Sequence, residues 1–152
     1  MIKRRINKIR SKFVKYGIDG YVVPKNDEFF SEYSNKDRLK FISNFTGSAG
    51  YAVILKNRNY LFVDGRYTIQ SKIESGNDFK ILDYLKIINT SVFKNLNLGI
   101  DASLFTSKQI KRFFLKNNKI ISIKENLIDK ISKKQNKKKS SFYSIDKTVT
   151  GE

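Results

Sequence analysis

The chain has 152 residues, of which 39% are hydrophobic, and a formal net charge of +17. This length and apolar content predict one folded domain with its own core and exclude a disordered chain. The lack of Cys excludes disulfides, thiolate metal sites and a Cys nucleophile. No apolar run approaches the roughly 18 residues that span a bilayer, and no signal-peptide pattern follows the basic start, so we expect a cytoplasmic protein without membrane contact.

The positive charge comes from 24 Lys and only 7 Arg, in a chain that also has 19 Ile and 14 Asn. Such usage is typical of a genome poor in G and C, and Arg, the better ligand for phosphates and bases, is scarce. We therefore interpret the charge as a solvated surface and do not expect nucleic acid as the partner. The alternative is a stand-alone basic module that binds RNA or an acidic partner through Lys133–Lys139.

The first half of the chain predicts two helices and the beginning of a sheet. An amphipathic helix ending near Gly17 is predicted by four apolar residues at helical spacing: Ile2, Ile6, Ile9 and Phe13. Residues 20–23 predict a buried strand that Pro24 ends, because proline cannot donate to a central ladder. A polar loop then covers 25–35, and a short helix covers 37–43.

The second half alternates between strands and helices. Residues 51–55 and 60–63 predict a β-hairpin, because both runs are rich in β-formers and flank a polar turn. Further strands are predicted at 79–82, 96–100 and 120–123, and further helices at 67–75, 106–115 and 126–131. This order predicts a single α/β domain with a mixed sheet and helices on both faces. From Ser132 the chain becomes Lys-rich and polar, which is typical of a linker.

The segment Phe45-Thr46-Gly47-Ser48-Ala49-Gly50 is a candidate binding loop. A phosphate-binding P-loop needs four residues between its glycines and a Lys after the second, and neither is present here. We therefore predict a tight turn with positive φ that leads into the strand at Tyr51.

A second candidate is Asp64-Gly65-Arg66-Tyr67, between a strand and a helix. Asp64 can cap the helix and Gly65 can allow a sharp turn. Neither role explains Arg66. Its guanidinium could pair with an acid of the same domain, such as Glu32 or Asp37, or point outward to a substrate or another domain.

Three aspartates stand at predicted strand ends: Asp19, Asp64 and Asp101. Three carboxylates brought together could hold Mg²⁺ in a phosphoryl-transfer site, which would indicate a nuclease. Aspartates are also common as caps and turn residues, and nothing in the sequence requires these three to meet.

Taken in order, several short motifs are similar to a known family. They are Asp19–Pro24, Ser31-Glu32-Tyr33, Arg38, the 45–50 turn, Asp64–Gln70, Gly99-Ile100-Asp101 and Lys124–Ile131. This set resembles the amino-terminal domain of the aminopeptidase P family, the Xaa-Pro aminopeptidases related to creatinase and prolidase. The resemblance covers residues 1–131 and is most similar to the three-domain branch of that family.

The resemblance implies a ribonuclease-H-like fold of the creatinase N-terminal type and a non-catalytic role. Such domains lean over the cleft of a catalytic domain, admit short peptides and support dimer contacts. The resemblance also implies that Arg66 and Tyr67 contact the substrate. In the family, two Mn²⁺ or Zn²⁺ ions are held by two Asp, one His and two Glu of a second domain. This chain has no His, so the resemblance transfers no catalytic residue, metal ligand or cofactor, and we expect the chain alone to be inactive.

Three departures from the family pattern stand out. Asn44 replaces a Gly, and Ser132 replaces a Trp after the last helix. The sequence stops at Glu152, where the family begins its second domain, so residues 132–152 are expected to be a basic linker toward an absent domain. The expected partners are the remaining domains of an aminopeptidase, short proline-containing peptides and a second copy in a homodimer.

Overall fold

The structure is a computed structural model that describes residues 1–31, 36–89, 93–115 and 117–132. Within these ranges the helices are α1 (Ile2–Arg10), α2 (Phe13–Tyr16), α3 (Arg38–Ser43), α4 (Thr68–Ser75), α5 (Lys86–Asn89), α6 (Ser107–Ile110) and α7 (Leu127–Ile131). The strands are β1 (Gly20–Pro24), β2 (Gly50–Leu55), β3 (Asn59–Val63), β4 (Lys80–Asp83), β5 (Asn97–Ile100) and β6 (Lys119–Ser122).

The six strands form one mixed sheet in the order β4-β3-β2-β1-β5-β6. Strand β2 runs antiparallel to both β1 and β3, while the other neighbouring pairs are parallel. Consequently β1, β3, β4, β5 and β6 all point the same way. Their carboxyl ends share one edge of the sheet, where β2 begins, and we call it the carboxyl edge.

Successive residues of the central strands face opposite sides of the sheet and build two cores. On one side, Tyr21, Ala52 and Leu61 pack with apolar residues of α1, α3 and α7. On the other side, Val22, Val53 and Phe62 pack with Ile87 and with an aromatic group that includes Phe105, Phe113 and Phe114. Helices therefore cover both faces, which confirms the predicted fold class.

The differences from the predicted elements are local. The first helix ends at Arg10, and Phe13–Tyr16 forms a separate turn of helix that stops at Gly17 in the left-handed conformation, with φ of 60°. Helix α5 was not predicted. The helix expected over 106–115 is α-helical only to Ile110 and then a π-helix over Lys111–Leu115. The expected linker from 133 to 152 lies outside the described residues.

Asn44 ends α3 in the left-handed conformation, with φ of 64°. Glycine adopts this conformation most easily, and asparagine is the common replacement because its short polar side chain tolerates it. The Oδ1 of Asn44 also accepts a hydrogen bond from Arg5 Nη1 of α1 at 3.2 Å. Asn44 can therefore end α3 in the same backbone conformation as the glycine that it replaces.

Candidate functional site

Two of the predicted motifs meet at the carboxyl edge. Residues 46–50 lead into β2, and residues 64–67 follow β3. Because β2 and β3 are antiparallel and Gly50 pairs with Val63, the two turns lie side by side. We call them the entry turn (46–50) and the exit turn (64–67).

The entry turn needs its glycines for close packing. A Cβ on Gly47 would lie 2.2 Å from the Phe45 ring, and one on Gly50 would lie 2.8 Å from the Phe62 carbonyl oxygen. Neither residue has a positive φ, so the predicted left-handed turn is wrong. The buried Phe45 ring, which occupies the space under Gly47, is the physical reason that only glycine fits there.

A hydrogen bond joins the two turns. The hydroxyl groups of Ser48 and Tyr67 are 2.9 Å apart, and the Tyr67 ring packs edge-on against Phe45 with centroids 5.7 Å apart. These contacts hold Tyr67 half-buried against the fold. Ser48 belongs to the candidate binding loop 45–50, but no local pattern in the sequence predicts its contact with Tyr67.

The entry turn is also tied to α4. The Thr46 backbone N–H and hydroxyl donate to the Glu74 carboxylate at 2.7 and 2.6 Å. Gln70 Nε2 donates to Thr46 Oγ1 and to Glu74 Oε1. Burial alone would raise the pKa of Glu74, but the hydrogen bonds from Thr46 and Gln70 outweigh burial and lower it. The Glu74 carboxylate accepts the Thr46 backbone N–H, so this donor is not available to a phosphate, which argues further against a phosphate-binding loop.

Arg66 points away from the domain and is 77% exposed. Its Nε donates to Asp64 Oδ1 at 2.9 Å, and the same oxygen accepts the Arg66 backbone N–H at 3.0 Å. Hydrogen bonds from Arg66 lower the pKa of the Asp64 carboxyl. The ion pair is thus local to the exit turn and holds no distant element.

Asp37, one of the two acids predicted as partners of Arg66, is engaged elsewhere. Asp37 caps α3 by accepting the Lys40 N–H, and its other oxygen pairs with Lys25 Nζ at 2.5 Å. Glu32 lies outside the described residues. The expectation of an acid in the same domain holds for Asp64, and the choice of Asp37 is wrong.

A cleft of about 540 Å³ opens beside the two turns. Its lining includes Ser48 and Asp64 of the turns, Lys25 after β1, and three aromatic residues, Phe30, Tyr51 and Tyr84. Phe30 is half exposed, and the Tyr84 hydroxyl lies 3.4 Å from that of Tyr51. Lys25 is buried and its Nζ is already paired with Asp37, so the cleft presents mainly aromatic rings and the Asp64 carboxylate to a ligand. Lys25 and Tyr84 were missed in the sequence because they belong to no motif.

Arg38 and Asp129 form a second polar contact, between α3 and α7. Arg38 Nε and Nη2 donate to the two Asp129 carboxylate oxygens, both at 2.9 Å. Arg38 is only 6% exposed, and Glu28 lies 3.5 Å from its Nη1. Both partners belong to motifs that carried the resemblance, but 91 residues separate them, so the sequence could not pair them.

The three strand-end aspartates do not form a site. Asp19 precedes β1 at the opposite edge of the sheet, where it pairs with Lys56 and accepts the Asn97 N–H. Asp101 follows β5 and accepts hydrogen bonds from Ser103 and Asn126. Across the described ranges, no group of three or more His, Cys, Asp or Glu residues could hold a metal ion. The nuclease interpretation is wrong for this arrangement.

The family described as Creatinase/Prolidase N-terminal domain matches residues 5–131. This chain belongs to that family. The match ends at the last residue of α7, so this creatinase/prolidase N-terminal domain includes both turns and both halves of the Arg38–Asp129 pair.

Relatives of this creatinase/prolidase N-terminal domain are much longer proteins. It is 32% identical to the "Probable Xaa-Pro aminopeptidase P" of Laccaria bicolor over 97% of this chain and 26% of that protein. It is 35% identical to the Xaa-Pro aminopeptidase 1 of Dictyostelium discoideum over 86% of this chain and 23% of that protein. The chain thus spans about a quarter of the length of these relatives.

Among solved structures, the X-prolyl aminopeptidase of Caenorhabditis elegans superposes with a TM-score of 0.73 at 26% identity. The match covers 86% of this chain and 25% of that enzyme, which is described as cytosolic with a di-nuclear active site. This creatinase/prolidase N-terminal domain is therefore similar to the N-terminal domain of Xaa-Pro aminopeptidases. Within the described residues, none of its helices has the length and apolarity to cross a membrane.

Proposed function

We propose that this chain serves as the non-catalytic N-terminal domain of an Xaa-Pro aminopeptidase, which releases the first residue of a peptide before proline. In this proposal the domain controls the access of short proline-containing peptides to a catalytic domain that carries two Mn²⁺ or Zn²⁺ ions. Support comes from the relatives named above and from the di-nuclear active site described for the C. elegans enzyme. The proposed setting is the cytoplasm, as for that enzyme.

The observation that carries this proposal is the exposed Arg66 on a braced support. The Ser48–Tyr67 hydrogen bond and the Thr46–Glu74–Gln70 contacts hold the two turns in place. The Arg66 side chain donates to Asp64 through Nε, and no described residue accepts a hydrogen bond from its terminal nitrogens, so these can donate to a carboxylate or carbonyl oxygen of a peptide. Tyr67 contributes by holding the exit turn, and its ring also lies 5.7 Å from the Arg66 guanidinium.

The remaining domains of the aminopeptidase are the proposed partners, together with a second copy of the chain in a homodimer. The alternative, an RNA or acidic-partner module, has no support from the comparisons, and the lysines on which it depends lie outside the described residues.

Replacement of Arg66 by Ala tests the proposal in a chimera in which this domain replaces the matching quarter of the C. elegans enzyme. A hydrogen bond to a charged group contributes about 1.5–3 kcal/mol, so we expect kcat/KM on an Xaa-Pro peptide to fall about tenfold or more. The melting temperature of the isolated chain should not change, because among the described residues the Arg66 side chain pairs within its own turn.

Arg4→Ala is the matched control, since Arg4 is exposed on α1 and its loss changes the net charge equally. Unchanged kcat/KM in Arg66→Ala, or an equal loss in both variants, would contradict the gating role. A lower melting temperature with unaffected turnover would make Arg66 a structural brace instead.

A further inference from the structure

A basic groove lies at the edge of the sheet opposite the two turns. It is bounded by α1, by the hairpin turn between β2 and β3, and by the start of β4, and its volume is about 570 Å³. Four cationic side chains from these three elements line it: Lys3, Arg10, Arg58 and Lys80. Asp78 is the single acid among the described residues of its lining.

Arg10 is held in place without a carboxylate. Its Nε donates to the Leu55 carbonyl oxygen at 2.8 Å, and its Nη2 donates to Asn59 Oδ1 at 2.9 Å. Asn59 in turn donates through Nδ2 to the Asp78 carbonyl oxygen at 2.8 Å. Within the described ranges no ion pair involves Arg10, and burial lowers its pKa. The groove therefore contains an oriented guanidinium whose charge the fold does not neutralise.

The other three cations are carried by exposed side chains that can change conformation to meet a ligand. Lys3, Arg58 and Lys80 are exposed, and their side chains form no ion pair with any described residue. Amide groups of Asn7, Asn57 and Asn77 complete the lining and can donate hydrogen bonds. A ligand with a single charge would leave most of these cations unpaired.

We propose that this groove binds an oligophosphate, a compact ligand with several phosphate groups. The planar fork of arginine matches phosphate oxygens, and flexible lysines can follow the remaining charges. The volume lies in the range of small-molecule sites, and cations from three elements around one concavity favour a compact anion over an extended chain. The site is separate from the carboxyl edge, so it does not depend on the function proposed above.

The test is titration of the 152-residue chain with sodium tripolyphosphate at fixed low ionic strength, by calorimetry and by thermal shift. The double variant Arg58→Gln with Lys80→Gln removes two exposed cations that pair with phosphate groups of the ligand. Its affinity for tripolyphosphate should be about threefold to tenfold weaker. The control double variant, Arg112→Gln with Lys108→Gln, changes the net charge equally on α6 and the π-helix, outside the groove, and should bind as the wild-type chain does.

Arg10→Lys keeps the net charge but loses the fork, and it should weaken binding by at least about threefold. No measurable binding to the wild-type chain would overturn the proposal, as would equal losses in both double variants or wild-type affinity in Arg10→Lys. Equal or tighter groove-dependent binding of a glutamate-rich peptide or of single-stranded RNA would overturn it as well, since it would assign the groove to another class of ligand.

Discussion

Arg38 and Arg66 occupy two regions of the domain with opposite surroundings. Arg38 is 6% exposed and donates through two nitrogens to Asp129 across the α3–α7 contact. Arg66 is 77% exposed, and one nitrogen of its side chain, Nε, donates to Asp64, two residues earlier. A buried charge is costly without its partner, whereas an exposed pair is screened by water. The same residue type therefore stabilises the fold in one region and is available for contacts in the other.

The largest expected effect is at the buried pair. Asp129→Asn removes the carboxylate that accepts two hydrogen bonds from Arg38 and leaves only Glu28, 3.5 Å from Nη1, as a described anionic partner, so the free energy of unfolding should fall by about 2–4 kcal/mol. Urea denaturation of the 152-residue chain measures this change. Asp64→Asn is the matched control, because it makes the same chemical change next to Arg66 and should leave the urea midpoint unchanged. Similar losses in the two variants would show that burial does not distinguish the regions.

A smaller effect is expected where the two turns meet. Tyr67→Phe removes the hydroxyl that lies 2.9 Å from that of Ser48, while the ring contact with Phe45 stays. The free energy of unfolding should fall by about 0.5–1.5 kcal/mol, the usual contribution of one hydrogen bond. Tyr84→Phe serves as a control, since its hydroxyl lies 3.4 Å from that of Tyr51 and should contribute less. If Tyr84→Phe lowered the free energy of unfolding more than Tyr67→Phe, the two turns would not depend on the Ser48 contact.

The smallest effect is a pH dependence at Glu74. Its pKa in the folded chain is lowered from the usual 4.5, so its ionised form contributes stability that is fully present above pH 4.5. This contribution is lost as the pH falls through the lower, folded-state pKa. Glu74→Gln should therefore be less stable than the wild-type chain at pH 7, with a difference that shrinks below pH 4.5. Melting temperatures of both chains across this range measure it, and a constant difference would rule out the linkage.

Much of the fold could be predicted from the sequence because local patterns determine it. The apolar spacing of α1, the two runs of the hairpin and Pro24 at the end of β1 each carry their own signal. No such local signal predicts helix α5 or the π-helix over Lys111–Leu115. A single turn of helix is too short to show an apolar period, and π-helices are rare. Apart from α1, which ends at Arg10 instead of near Gly17, the predicted boundaries moved by a few residues at most.

The candidate site was predicted in part. The motifs located both turns, and the hairpin made their proximity foreseeable, because an antiparallel pair places its outer ends together. The observed partner of Arg66, Asp64, is not one of the two acids predicted from the sequence, Glu32 and Asp37, since the direction of a side chain is decided in three dimensions. The glycines of the entry turn were identified, but for left-handed φ rather than for the Phe45 ring beneath Gly47. No local sequence motif predicts the basic groove.

Helix α7 lies against α1, so the first and last described helices complete one side of the core together. The Tyr21 hydroxyl accepts the Leu127 N–H across 106 residues, and Arg38 reaches Asp129 across 91. During synthesis, the apolar residues of α1 cannot pack against α7 until the residues near 131 have left the ribosome, so this side of the core is completed last. Contacts this distant in sequence slow folding and prolong the exposure of apolar surface on the nascent chain until α7 has been made.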